Sequence, residues 1–130
     1  MEQRQWGARV FEVPGAIEEI AKTIDALGVK VIDAFEWLDE GGDPRVLIAA
    51  DIGLLDCHHV APDTTNLRVR VVPWEAVPAP WIAYVWRGTN PEDATVTFEV
   101  AIEPPVRVVS AKHAQKQAIS EFYRVLLSHR

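Results

Sequence analysis

Asp56-Cys57-His58-His59 is the densest run of reactive side chains in the 130-residue chain. A thiol and two imidazoles are zinc-ligand types, and a carboxylate two residues from an imidazole has the makings of a base and its orienter. On a strand, neighbouring side chains point to opposite faces, so Cys57 and His59 would share one face and Asp56 and His58 the other. Two ligands do not complete a zinc site, and no CxxC, HxH or HxxxH elsewhere supplies the rest; His113 and His129 fall on a remote helix. Neither a nucleophile nor a glycine-rich oxyanion loop accompanies Asp56 and His58. The expectation is no metal and no cofactor, with Cys57 in the core, the histidines at a sheet edge and Asp56–His58 a surface pair.

Two other groupings suit binding better than catalysis. Arg68 and Arg70 share one strand face and have the geometry to grip a carboxylate or phosphate. The simpler expectation is a solvated outer face, paired across the sheet with Glu99 or Thr97. Trp74, Trp81, Tyr84 and Trp86 form the densest aromatic cluster. From Trp81 to Trp86 the aromatics occupy both strand parities, so at least one should lie outside the core, available to a partner.

The elements that position these residues follow from periodicity. In Leu67–Trp74, Leu67, Val69 and Val71 alternate with Arg68 and Arg70, the clearest strand pattern in the chain. Pro73 should end regular pairing near Trp74. Pro14 opens a helix to Leu27, with Ile17, Ile20, Ala21, Ile24 and Leu27 on one stripe and Gly28 as its stop. Strands are expected at Val29–Leu38 (Val31, Asp33, Phe35 and Trp37 on one face), Arg45–Asp51, Leu54–Val60, Trp81–Arg87 and Thr95–Ile102. The second and third form a hairpin through Ile52-Gly53, and Asp39–Pro44, Ala61–Asn66 and Gly88–Asp93 read as turns or loops. Val106–Val109 is either a seventh strand or an extended lead-in. Ser110 caps a final helix to about Ser128, striped by Ala111, Ala114, Ala118, Phe122 and Leu126. Residues 1–12, with Trp6, Val10 and Phe11, read as an arm or a short docking strand.

One domain is expected: an arm and helix over 1–28, antiparallel strands over 29–109 and a helix over 110–130. Six or seven strands with no helix between them exclude a parallel α/β fold, so the class is α+β, mainly antiparallel. The net charge of −6 argues against nucleic acid. It is concentrated in residues 1–66, with 13 acidic against 5 basic residues. No apolar run is long enough to insert in a membrane, and no secretion signal is legible, so the expected location is cytoplasmic. A single cysteine fits a reducing compartment.

Three segments resemble bacterial pleckstrin-homology-like domains. Val46-Leu-Ile-Ala-Ala-Asp-Ile-Gly-Leu-Leu-Asp56 is similar to their hairpin, Val71-Val-Pro-Trp-Glu-Ala-Val77 to their Pro-Trp strand, and Ser120-Glu-Phe-Tyr-Arg-Val-Leu-Leu127 to their closing helix. The resemblance implies a bent sheet or barrel of six or seven strands over residues 29–127, plugged by a C-terminal helix with Phe122 inside. The N-terminal helix is an addition to that plan. It also implies a non-catalytic binding platform. The lipid-binding form uses a basic loop between its first strands; Asp39–Asp43 is acidic here, so phosphoinositide binding is not implied. A protein partner or a homodimer through Trp81–Arg87 is preferred to a small molecule, and a binding module to an enzyme. The alternative is an α+β cone of the nuclear-transport-factor or secretion-chaperone type, binding a small molecule or acting as a chaperone.

Overall fold

A computed structural model of the chain describes residues 14–39, 41–59, 67–86, 88–90, 94–110 and 113–129. The arm over 1–12 and the loop over 61–66 lie outside these residues. The architecture is α+β with antiparallel strands, a helix near each end of the chain, and two sheets. The elements are α1 (Pro14–Leu27), β1 (Val31–Leu38), β2 (Pro44–Ala50), β3 (Gly53–His59), β4 (Leu67–Pro73), a 3-10 turn (Trp74–Ala76), β5 (Trp81–Val85), β6 (Thr95–Val100), β7 (Val106–Ser110) and α2 (His113–His129). Seven strands were expected at most, and seven form; they divide into a four-stranded sheet β1-β2-β3-β4 and a three-stranded sheet β5-β6-β7, with no closed barrel among the described residues. The chain splits into two compact units, one ending at Trp74 and one beginning at Glu75.

In the first unit α1 stops at Gly28, whose φ of +69° is the left-handed cap that glycine takes without strain. Its N–H reaches back to the Ile24 carbonyl at 3.0 Å. Ile20 and Ile24 pack on one face of the sheet with Ala34, Val46, Ile48, Ala50, Leu55 and Cys57. Burying each of the two isoleucines contributes about 1.5–3 kcal/mol. The side chain of Ile17 lies outside the described ones.

Three details of this sheet depart from expectation. A bulge at Ile32 shifts the register of β1, so Val31 pairs with Ala50 while Asp33 pairs with Ala49. Val31 therefore packs with the α1-side core, not on the face of Asp33, Phe35 and Trp37. β3 runs between β2 and β4, so its histidines are not at a sheet edge, and His59 is buried. β4 is the edge strand beside β3: its alternation holds and pairing ends at Pro73, yet Val71 is exposed despite its inward parity. At the β2–β3 hairpin Gly53 has φ +153°, and a Cβ there would sit 2.9 Å from Pro73 Cα and closer still to the Val72 carbonyl oxygen. Only glycine fits.

In the second unit Val96, Phe98 and Val100 are buried, alternating with the half-exposed Thr95, Thr97 and Glu99. Ile102 is buried too but lies beyond the strand. Val106–Ser110 is a true strand, paired with β6 throughout. α2 packs against β5 and β6, with Phe122 buried and edge-on to Phe98 at 6.2 Å. Ala118 and Leu126 of the same stripe are buried beside it, and so is the neighbouring Ile119.

Candidate functional site

Asp56 and His58 of β3 are drawn into a polar network across one face of the first sheet. Register places Asp56 between Leu47 on β2 and Arg70 on β4, and His58 between Arg45 and Arg68. Both oxygens of the nearly buried Asp56 carboxylate are taken: Arg45 Nη2 donates to Oδ1 and Arg70 Nη2 to Oδ2, each at 2.8 Å. Asp56 therefore does not orient His58. The Nε2–H of His58 donates instead to Asp43 Oδ2 at 2.8 Å, with Asp39 Oδ2 at 3.7 Å. The expected surface dyad is replaced by a clamp on Asp56 and a separate His58–Asp43 pair. Arg45 also lies over the Trp37 ring, 5.6 Å from its centroid, adding a cation–π contact.

Asp39 organises the turn beneath this pair. Its Oδ1 accepts the backbone N–H groups of Gly41 and Asp43, at 3.0 and 2.9 Å. Oδ2 is left facing His58, with Arg45 Nη1 at 3.8 Å. Asp39, Asp43 and His58 thus bring one ligand-type atom each within 4.8 Å of one another. Two carboxylates and an imidazole are a donor set that suits a divalent cation, although Arg45 already supplies positive charge there. The sequence hid this grouping, because it depends on the β2–β3 register bringing His58 back over a turn fifteen residues earlier.

On the other face of β3, Cys57 is packed in the core. Burial pushes its thiol up from 9.0 to about 12, the Asp56 charge adding to the rise and Arg45 opposing it. A buried thiol that keeps its proton is a poor nucleophile at neutral pH. His59 shares that face, and its Nε2 is buried without a hydrogen-bond partner. Contrary to expectation, Arg68 and Arg70 are not cross-strand neighbours of Glu99 or Thr97; on β4 they pair with β3. Glu99 and Thr97 sit on β6 in the other sheet, where Glu99 lies 4.0 Å from Arg107 on β7.

The aromatic cluster resolves into two roles. Trp74 is structural: its indole N–H donates to the Ala50 carbonyl at 2.9 Å, tying the 3-10 turn to the end of β2. Trp81, Tyr84 and Trp86 are 43%, 44% and 55% exposed, and Val85 is 55% exposed. Trp81 and Val85 lie on the outer face of the sheet and Tyr84 on the α2 side. There the Tyr84 hydroxyl bonds Ser120 Oγ at 2.8 Å, and its ring stacks on Trp86 with centroids 5.9 Å apart. Trp86 lies just past the end of β5. Ile20 and Ile24 of α1 pack in the first sheet's core.

Compared with protein-family models, curated proteins and solved structures, the chain matches none.

Proposed function

We propose that the chain is a non-catalytic interaction module, built on a pleckstrin-homology-like plan, that presents the strand Trp81–Val85 and the adjoining Trp86 to a protein partner. The observation that carries this reading is the exposure of apolar side chains at both parities of one strand. A free antiparallel strand shows polar residues on its wet side, as β4 and β6 do. Three aromatic rings and a valine left in water are the composition of an interface core. Four strands followed by three, closed by a helix with a buried phenylalanine, are in keeping with the resembled plan.

Affinity capture from the native host, with Trp81→Ala and Trp86→Ala as comparison baits, tests the reading. Anchors of this kind contribute about 2 kcal/mol or more to binding, so each variant should lose at least tenfold of the specific capture. Capture unchanged by both would refute it. The cone-type alternative draws on α2 lying against an open three-stranded sheet. It predicts a small molecule that raises the melting temperature of wild type and of both tryptophan variants alike.

A further inference from the structure

We infer that the partner of β5 is β5 of a second copy of this chain, the two strands pairing antiparallel to form one six-stranded sheet. The inference rests on the interaction-surface reading and names its occupant. Among the described residues the two sheets have four edge strands, β1, β4, β5 and β7, and an edge strand is a template for another chain unless something blocks it. β1 carries a bulge with Asp33 and Glu36, β4 carries Arg68 and Arg70, and β7 carries Arg107. β5 alone has neither charge nor bulge: Trp81-Ile82-Ala83-Tyr84-Val85 pairs with β6 residue for residue.

The sequence of β5 is also compatible with its own reverse. In a register centred on Ala83, the smallest side chain meets itself at the two-fold axis. On the outer face Trp81 of each copy stands opposite Val85 of the other, and on the α2 face Ile82 stands opposite Tyr84. An aromatic facing a β-branched residue is a favourable cross-strand pair. Charge points the same way. Two molecules of net charge −6 repel, and contact through an uncharged strand adds no like-charge pair to that cost. The four exposed side chains offer about 400 Å² per copy. The total of about 800 Å² falls below the roughly 1,000 Å² of a stable interface, so the dimer belongs to the weak, micromolar class.

Sedimentation equilibrium from about 1 to 200 µM, the span of a weak dimer, tests self-association. Wild type should pass from 14.5 kDa toward twice that mass. Val85→Lys, at an exposed position, should weaken dimerisation at least tenfold, while Val109→Lys on β7 should not. Register is read by Ala83→Cys, because facing antiparallel Cα atoms lie about 4.5–5.5 Å apart, within disulfide reach. Mild oxidation should give a covalent dimer of Ala83→Cys and none of Val109→Cys; Cys57, buried, stays silent. A chain monomeric throughout, with no cross-linking of Ala83→Cys, overturns self-pairing. If its Trp81→Ala variant still loses captured protein, the interaction-surface reading survives alone. A dimer insensitive to every β5 change overturns both.

Discussion

Asp56 is held by two guanidinium groups that converge on it from neighbouring strands, Arg45 of β2 and Arg70 of β4. Removing its charge leaves both cations facing an amide in a partly dry setting. Asp56→Asn should therefore lower stability by about 2–3 kcal/mol in urea titration, more than either arginine replaced alone. Gly53 is constrained by backbone rather than by charge. Gly53→Ala must push β4 away or break the hairpin, and a loss of about 2 kcal/mol or more is expected from the same measurement. Cys57 makes a prediction in pH. The folded chain keeps a thiol proton that the unfolded chain gives up near pH 9. Its contribution to stability is therefore complete below that pH and falls away as pH climbs toward 12. Between pH 9 and 10 wild type should lose up to about 1.4 kcal/mol that Cys57→Ala does not. Equal slopes for the two proteins would contradict the burial of this thiol.

At the scale of elements, α2 secures the second unit through Phe122 and Tyr123, both edge-on to Phe98. Phe122 is buried edge-on to Phe98, so Phe122→Ala should cost about 3–5 kcal/mol and be seen as a lowered unfolding midpoint. That helix was legible, as were β4 and β6, because each carries an uninterrupted period of 3.6 or 2. What did not show was anything that depends on a second element. The bulge at Ile32 reverses the face of Val31, and no local pattern announces it. The division of seven strands into a sheet of four and a sheet of three is not written in the strands' own alternation. Arg70 was readable as a carboxylate-gripping side chain, but its carboxylate, Asp56, is supplied by the β3–β4 register. The exposed aromatics were legible for the opposite reason: an all-apolar strand declares its unfilled side without reference to any neighbour.

For the molecule as a whole, charge and edges set what it can meet. No helix among the described residues is long and apolar enough to cross a membrane. With a net charge of −6 and Asp39 and Asp43 on its first turn, the chain should remain in the dense fraction when floated with phosphatidylserine vesicles at about 0.1 M salt, where repulsion still acts over ~10 Å. Edge inventory matters more. Growth of a β ribbon needs two adhesive ends on every subunit, and of the described edges of the second sheet β5 alone carries no charge. The proposed pairing through β5 would use that end up, so association would terminate at two, with no uncharged edge of that sheet left to extend. Arg107 on β7 is then the residue that separates a closed dimer from a polymer. Arg107→Val should turn a clear concentrated solution turbid with time, and Arg107→Val combined with Val85→Lys should slow that growth sharply by leaving each subunit a single end again.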